Sequence, residues 1–542
     1  MSLYIIYVLS LIERVNLNYI LKIISFLIGI TNFICAISFA KKYGGEDGDV
    51  ARSIQQTNDG GYIVAGYTSS FGAGGDFLVI KSDSEGNIEW VKTFGGINGD
   101  GAYSIQQTND RGYIVAGTTN SFGIGYCDFL VIKLNLQGNI DWVKTFGGVN
   151  DEYAFSIQQT NDGGYIVAGY TSLGYDFLVI KLTSQGDIEW TKTFGREMSD
   201  VAYSVQQTND GGYIVAGYTQ FYASEDDFLV IKINSQGEIE WAKIFGGVSS
   251  DVAFSIKQTN DGGYIVTGWT NSFGAEDLDC LVIKLTPQGN IEWAKTIGGP
   301  SEDVPLSIQQ THDGGYIVVG ETYSFGAGNE DLLVIKLDSQ GNIELAKTFG
   351  GGNYERARSV QQTSDGGYII AGTTSSFGLG YYDFLVIKTQ DGQMVSDCPW
   401  YDCDPIVTSQ NVFVADLSIN VTSPILSITS PPISISLPAV STSIVCSPAV
   451  EENIYFTKEN IKVESSIFFK DKISLTFSGY SREEIKLVLY DVSGKEIISK
   501  SFRFNNYVEI RDKRIEKIKK GIYFLKVYLK SKEIVSLKII KE

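Results

Sequence analysis

Acidic residues recur at two positions along the chain. Their carboxylates are the first candidates for a chemical role. Carboxylates repeated in Gly-rich surroundings could bind a ligand or calcium, or could act in pairs on a glycosidic bond. They could equally cap turns by accepting backbone N–H bonds. The first set, our candidate ligand-binding residues, comprises Asp76, Asp128, Asp176, Asp227, Asp279, Asp331 and Asp383. The second set comprises Asp49, Asp100, Glu152, Asp200, Asp251, Asp303 and Glu355.

Other catalytic or metal chemistry has little support in the sequence. The only histidine, His312, argues against a Ser-His-Asp or Cys-His arrangement and against a His-ligated metal. The recurring acids follow a repeat, whereas a catalytic group should break it. We therefore expect no catalytic residue, no metal site and no cofactor, with calcium as the less favoured option. The acids leave a carbohydrate-active hydrolase or lyase as an alternative to a non-catalytic protein.

The acids belong to seven copies of a segment of about fifty residues. Its landmark, Asp-Gly-Gly-Tyr, begins at Asp59, and the variant Asp-Arg-Gly-Tyr begins at Asp110. In the first copy, residues 51–57, 62–68, 76–81 and 88–94 have strand patterns separated by turn sequences. Four antiparallel strands in fifty residues are typical of a propeller blade. The other copies of the landmark begin at Asp162, Asp210, Asp261, Asp313 and Asp365.

The two ends of the repeat array indicate a closed ring. The seventh copy stops near Met394 without its fourth strand, while Ala40-Lys41-Lys42-Tyr43-Gly44-Gly45 resembles that strand. We therefore predict an all-β fold in which residues 41–394 form a seven-bladed β-propeller and the N-terminal strand completes the last blade. Trp90 and its counterparts are predicted to pack between blades.

Variation among the copies distinguishes two faces of this predicted ring. The Asp-Gly-Gly turns and the third-to-fourth turns hardly change, whereas the second-to-third loops and the links between blades differ in length and content. Loops that are free to differ could carry a binding site, and drift in unconstrained loops is the alternative. We expect any ligand, glycan or protein, on this variable-loop face, where the Asp76 set lies.

Composition and the N-terminus limit the partners. The net charge of -20 argues against nucleic acid and anionic membrane. Lys22, the apolar run that follows it and Ser38-Phe39-Ala40 predict a secretory signal over residues 1–40, with a retained membrane anchor as the alternative. We expect no membrane insertion after cleavage and a monomer.

The chain changes character after residue 394. Residues 395–450 are rich in Ser, Thr and Pro and are predicted to form an extended linker. Residues 451–542 are Lys-rich, with strand-like runs. Two runs stand out: residues 487–496, Leu-Val-Leu-Tyr-Asp-Val-Ser-Gly-Lys-Glu, and residues 520–527, Lys-Gly-Ile-Tyr-Phe-Leu-Lys-Val, and the chain ends in Lys-Ile-Ile-Lys-Glu.

These runs resemble the C-terminal sorting domain of the type IX secretion system of Bacteroidota and related phyla. The resemblance implies a small Ig-like β-sandwich that the translocon reads, with Sec-dependent export before it. Propeller repeats are often found on such surface proteins, and we expect a secreted or outer-membrane-associated binding or adhesion scaffold. A purely structural surface protein remains a further alternative. The matching sorting-motif residues are Tyr490, Asp491, Gly494, Gly521, Tyr523 and Lys538.

Overall fold

The computed structural model describes residues 39–390, except 197, 221–224, 276 and 379–380, and from residue 400 onward the strands given below together with Lys495. The signal-sequence prediction for residues 1–38 lies outside the described residues. All described regular elements are β-strands, and each of the seven repeats forms four antiparallel strands of one blade. The predicted seven-bladed β-propeller is confirmed.

The four strands of a blade are named here inner, second, third and outer. The inner strands are Asp49–Gln56, Asp100–Gln107, Glu152–Gln159, Asp200–Gln207, Asp251–Gln258, Asp303–Gln310 and Glu355–Gln362. The second strands are Tyr62–Thr68, Tyr113–Thr119, Tyr165–Thr171, Tyr213–Gln220, Tyr264–Thr270, Tyr316–Thr322 and Tyr368–Thr374. The third strands are Asp76–Ser82, Asp128–Leu134, Asp176–Leu182, Asp226–Ile233, Asp279–Leu285, Asp331–Leu337 and Asp383–Thr389. The outer strands are Ile88–Gly95, Ile140–Gly147, Ile188–Gly195, Ile239–Gly246, Ile291–Gly298, Ile343–Phe349 and Phe39–Gly44.

The ring closes as the sequence predicts. Strand Phe39–Gly44 pairs antiparallel with Asp383–Thr389 and is the outer strand of blade 7. The inner strands contact one another around the axis, and the inner strand of blade 7 contacts that of blade 1. The strand begins at Phe39, whose side chain is 2% exposed and whose ring lies 6.1 Å from that of Tyr62. The propeller therefore starts two residues before the predicted boundary, and cleavage after Ala40 would remove part of its closing strand.

The segment expected to be a linker contributes strands to the propeller. Each of its seven short strands pairs antiparallel with the outer strand of one blade, in the order of blades 6, 5, 4, 3, 2, 1 and 7. These belt strands are Trp400–Asp402, Ile406–Ser409, Phe413–Asp416, Asn420–Thr422, Ser427–Thr429, Ser434–Ser436 and Ser441–Cys446. An uncovered outer strand presents unpaired N–H and C=O groups, and the belt strands cover the last three to five residues of each outer strand.

The belt has a seven-residue register. Phe349, the last residue of its outer strand, lies opposite Trp400, and Ile297 lies opposite Val407. Each further blade uses the residue seven positions later. These further partners are Val414, Val421, Ile428, Ile435 and Thr442. Seven residues therefore carry the chain from one blade to the next.

The apolar core lies between neighbouring blades. Ile63, Phe77 and Phe94 of blade 1 form one buried cluster with Tyr113 and Leu130 of blade 2, and similar clusters fill the other interfaces. Burial of a single Phe or Leu stabilises the fold by about 1.5–3 kcal/mol. Trp90 packs edge-on against Tyr113 with the ring centroids 5.7 Å apart. The predicted interblade role of the Trp90 series is confirmed.

The constant face owes its constancy to a buried lysine in each blade. Lys81 is 1% exposed, and its Nζ lies 3.1 Å from Asp59 of the Asp-Gly-Gly-Tyr turn and 2.8 Å from Glu89 of the outer strand. Asp59 also accepts hydrogen bonds from Thr57 and from the Gly61 N–H. One turn aspartate therefore joins three parts of a blade. The corresponding lysines are Lys133, Lys181, Lys232, Lys284, Lys336 and Lys388.

Residues 447–542 form a second compact unit. One sheet contains Phe456–Lys458, Ile461–Ser465, Lys472–Gly479 and Tyr507–Arg511. The other contains Phe468–Phe469, Lys532–Lys541, Gly521–Leu529, Glu484–Asp491 and Glu496–Arg503. Two sheets agree with the all-β expectation for this region, and their packing as an Ig-like sandwich stays a prediction.

Candidate functional site

The predicted ligand-binding acids lie at the base of the variable loops, and several of them accept hydrogen bonds from the loop backbone. Asp128 Oδ2 accepts hydrogen bonds from the Ile124 and Gly125 N–H groups, and Asp279 Oδ2 accepts one from Ala275 N–H. Asp128 and Asp279 are buried, as are Asp76, Asp331 and Asp383, while Asp176 and Asp227 are partly exposed. These contacts favour the capping interpretation. Ligand binding by the Asp76 set stays a prediction.

The structure brings the two acidic sets together in pairs. Each pair lies between two neighbouring blades and contains one residue of each set. A Cβ built at Gly95 would lie 1.8 Å from Asp76 Oδ1 and 2.9 Å from Asp100 Oδ2, so the two carboxylates flank this glycine. Burial and the neighbouring Asp100 raise the pKa of Asp76 to about 6. Burial and Asp251 raise the pKa of Asp227 to about 7. Both pKa values are raised because each carboxylate is buried beside another negative charge.

The pairs do not assemble a larger metal site. Within the described residues, no group of three or more His, Cys, Asp or Glu side chains could hold a metal ion. Asp100 Oδ2 is occupied as an acceptor for Gly96 N–H and the Ser121 hydroxyl. No residue in the described part of the chain donates a hydrogen bond to Asp76 Oδ1. Because the pKa of Asp76 is raised, this carboxyl holds a proton at mildly acidic pH, which relieves its repulsion with Asp100.

The only histidine has a structural position. His312 lies in the constant turn of blade 6, and its backbone N–H donates to Gln362 Oε1 of blade 7. The same contact is made by Asn or Ser backbone at the other six blades. This contact uses only the backbone of His312 and does not depend on its imidazole ring.

Each inner strand has a β-bulge near the axis. The residue at the bulge differs from blade to blade, and this difference breaks the sevenfold symmetry. In blade 1 the pairing register shifts between Ala51 and Ser53, so Arg52 is the extra residue. A bulge re-aims the side chain of its extra residue. All seven bulged residues are partly exposed. This bulge ring comprises Arg52, Tyr103, Phe155, Tyr203, Phe254, Leu306 and Arg358.

Five members of the bulge ring form a continuous row. The Arg52 guanidinium lies 3.7 Å from the centroid of the Tyr103 ring. The centroids of Tyr103 and Phe155 are 4.9 Å apart, those of Phe155 and Tyr203 are 5.1 Å apart, and those of Tyr203 and Phe254 are 5.0 Å apart. One side of the ring is therefore an aromatic surface with a cation at its end.

The other side of the ring is charged. The Nε atoms of Arg52 and Arg358 are buried, and no described residue accepts a hydrogen bond from them. Burial and the neighbouring Arg52 lower the pKa of Arg358 to about 10, so it stays cationic at neutral pH. Nearby, Arg356 binds Glu330 and Glu321, and burial together with Glu330 raises the pKa of Glu321 to about 7. Two arginines with donors to spare suit a carboxylate or another anionic group.

Exposed apolar side chains mark the same face. Large hydrophobic residues that are strongly exposed include Ile97, Tyr126, Val149, Val248 and Tyr381, at 79% or more. All five lie in the second-to-third loops or in the links between blades. Among the described residues, Leu136 is the single exposed large hydrophobic residue in a constant-face turn. Clustered exposed apolar residues are a property of interaction surfaces.

The bulge ring was not among the residues predicted from the sequence. Its positions follow Ala or Pro in the pattern Ala-x-Ser, and that column varies from Arg to Tyr, Phe and Leu while its neighbours are nearly constant. Comparison of the repeats column by column would have found this variation. A bulge cannot be recognised from one strand, however, so the direction of these side chains required the paired sheet.

The predicted sorting-motif residues lie on paired strands of the second unit. Asp491 lies opposite Tyr523, and Tyr490 opposite Phe524. Phe524 in turn pairs with Lys538. Gly521 begins its strand, and Gly494 lies outside the described residues. The backbone therefore brings three separate parts of the motif into one sheet.

Comparison with known proteins assigns the C-terminal region. Residues 469–542 match the family described as the secretion system C-terminal sorting domain. The chain is thus a seven-bladed β-propeller that carries a type IX sorting domain. It is exported by the type IX secretion system, to be secreted or displayed at the cell surface. The described residues contain no helix that is long and apolar enough to cross a membrane.

The propeller itself is not assigned by these comparisons. No curated protein matches the chain. A solved structure described as a biofilm-associated protein BSP domain is 10% identical over 93% of this chain and 96% of that chain. The TM-score of 0.13 is too low for this similarity to support a fold or a function.

Proposed function

We propose that the propeller is a non-catalytic binding or adhesion module whose ligand docks on the variable-loop face, over the bulge ring. The observation that carries this proposal is the break in symmetry at the axis. Seven otherwise similar blades place four aromatic residues in a row and two arginines side by side at one level of the channel.

The chemistry of the ring favours a glycan that bears a carboxylate. Aromatic faces bind the apolar faces of sugar rings, and the guanidinium groups of Arg52 and Arg358 supply positive charge to an anionic group. The exposed apolar residues of the surrounding loops, such as Tyr126 and Val149, extend the surface for a larger glycan or a protein ligand. A surface location, to which the sorting domain sends the protein, suits such a ligand.

A glycan array with acidic and neutral members tests the proposal on the secreted protein. We expect binding that weakens about fivefold or more in Phe155→Ala and Tyr203→Ala, since each truncation removes a stacking surface of about 1 kcal/mol or more. Arg358→Met is expected to abolish the preference for acidic over neutral glycans. Leu136→Ala, at an exposed apolar residue of the constant face, is the control outside the proposed binding surface.

The result that would contradict the proposal is binding that survives the axial substitutions and is lost with Tyr126→Ala, because the ligand would then sit on the outer loops. Absence of binding to any glycan or cell surface would favour the purely structural alternative. Release of reducing sugar by the unmodified protein would instead support the hydrolase or lyase alternative.

A further inference from the structure

The central channel contains a second break in symmetry, closer to the constant face than the bulge ring. A cavity of about 280 Å³ lies on the axis and is lined by the inner strands of all seven blades. Six blades place a glutamine in it at equivalent positions, and blade 5 places Lys257 there. The six glutamines, called here the amide ring, are Gln55, Gln106, Gln158, Gln206, Gln309 and Gln361.

Each glutamine of the amide ring has a fixed orientation. Gln55 Oε1 accepts a hydrogen bond from the Gln107 N–H of the next blade at 2.5 Å, and the other five make the same bond at 2.6–2.7 Å. Because a backbone N–H requires the carbonyl oxygen of the amide, the oxygen and nitrogen of these side chains are distinguished. The six Nε2 groups are therefore donors, and no described residue accepts a hydrogen bond from them.

Lys257 interrupts this ring of bonds. An ammonium group cannot accept a hydrogen bond, so the Gln310 N–H of blade 6 lacks the acceptor that its six counterparts use. Lys257 Nζ itself has no hydrogen-bond or ion-pair partner among the described residues, and the cavity lining contains Ser, Gln, Ile and Val but no acid. Burial lowers the pKa of Lys257. A half-buried ammonium in the channel without a counter-ion is unfavourable, and the lost bond adds about 1 kcal/mol.

The groups around the cavity are thus almost all donors. The seven serines of the next layer, Ser53 among them, already accept backbone N–H bonds at 3.2–3.4 Å. An anion with several oxygen atoms could accept from Lys257 Nζ, from the Gln310 N–H and from Nε2 groups, and would neutralise the charge. The cavity is large enough for such an ion with water around it.

We propose that the central cavity binds a small oxyanion, of the carboxylate, phosphate or sulfate type, through Lys257, the Gln310 N–H and the amide ring. This site is separate from the bulge ring and does not rest on the proposed function. Lys257 supplies the charge, the amide ring supplies directed neutral donors, and the symmetry break decides on which side of the axis the anion lies.

Thermal unfolding of the whole secreted protein tests the site. Chloride is replaced by acetate, phosphate or sulfate at constant ionic strength, and the three arms distinguish carboxylate from phosphate and sulfate. We expect at least one of them to raise the Tm of the unmodified protein by roughly 1–3 °C at millimolar concentration, since a ligand that binds only the folded state stabilises it.

The matched variant is Lys257→Gln, which makes the ring sevenfold and restores the acceptor for Gln310. We expect its Tm in chloride to exceed that of the unmodified protein and to be insensitive to the oxyanion. Lys257→Met removes the charge without restoring the acceptor, so it should lose the oxyanion effect without the gain in Tm. A crystal grown with selenate should show anomalous density beside Lys257 only in the unmodified protein.

Two outcomes would overturn the proposal. One is a Tm of the unmodified protein that none of the three anions changes. The other is an equal rise in Lys257→Gln and in the unmodified protein, which would reflect general salt effects on folding.

Discussion

The carboxylate pair of blade 1 leads to a sharp prediction: Asp76→Asn should stabilise the protein at pH 7.5. The pKa of Asp76 in the folded state is about 6, against an ordinary value of 3.8. Because the folded pKa is raised, the folded protein binds more protons between these values, and stability is lost as the pH rises through about 6. Asn carries no charge and therefore mimics the protonated acid.

The size of the effect follows from the same values. A pKa of about 6 against 3.8 corresponds to about 3 kcal/mol between the two protonation states. Solvent screening at the open face reduces this, so we expect Asp76→Asn to raise the free energy of unfolding by about 1–2 kcal/mol at pH 7.5. At pH 5 the gain should be about half as large, because the folded protein then keeps this proton while the unfolded chain has already lost most of it.

Urea unfolding at pH 5 and at pH 7.5, with both proteins, measures this difference. Asp59→Asn in the same blade is the control. Burial alone would raise the pKa of Asp59, but hydrogen bonds from Thr57, Gly61 and Lys81 lower it, so its contribution is lost only as the pH falls below about 4. Asp59→Asn should therefore destabilise at both pH values. The reasoning is refuted if Asp76→Asn destabilises at pH 7.5, or if its effect is equal at the two pH values.

Four further predictions follow from other parts of the propeller. Lys81→Met should lower the free energy of unfolding by about 1–3 kcal/mol, because it leaves the Ser82 carbonyl and two acids without their buried partner. Urea unfolding measures this change. An unchanged midpoint would show that the lysine is dispensable. Arg111 has a φ of 67° in the variant turn, so Arg111→Gly should raise the free energy of unfolding by about 1 kcal/mol. Arg196→Gly is the control and should not stabilise the protein in this way. An equal effect of the two substitutions would contradict the strain argument. A chain ending at residue 390 should self-associate in light scattering more than one ending at Cys446, because it exposes seven outer strands; two equally monomeric chains would show that the belt does not protect these edges. A chain beginning at Phe39 should have a higher Tm than one beginning at Lys41, and equal values would make cleavage after Ala40 compatible with the fold.

Much of the propeller was predictable because its signals are local and repeated. The Asp-Gly-Gly-Tyr turn, the apolar second and third strands and the Trp at Trp90 recur in the order in which the strands pair. The divided blade was predictable because Ala40 to Gly45 repeats an outer-strand sequence. The role of Asp59 in that turn was not, since it depends on Lys81, which lies 22 residues later and whose burial is decided by packing.

The belt is the main difference from expectation. Ser, Thr and Pro favoured a linker over residues 395–450, and each belt strand has only three to six residues. Strands this short have no periodicity of their own. The signal was the spacing of seven residues from Trp400 through Val407 and Val414, which has meaning only beside a ring whose blades are one such step apart.

The candidate sites depend on the tertiary structure for a related reason. Arg52 and Arg358 are 306 positions apart in the sequence, and ring closure makes their blades neighbours. Lys257 is one lysine among many until the ring places it among six glutamines whose oxygens are already bonded. Of the acids of the Asp76 set, conspicuous in the sequence, Asp128, Asp279 and Asp331 accept hydrogen bonds from loop backbone, and ligand binding by the set stays a prediction.

The sequence by itself determined the number of blades, the pairing order within each blade, the closing strand and the export signal at the C-terminus, because each is written in contiguous residues that repeat or match a known pattern. Only the tertiary structure decided which side chains meet on the axis and what covers the outer edges. Those contacts join residues from different repeats, and their geometry arises when seven similar sheets close on one another.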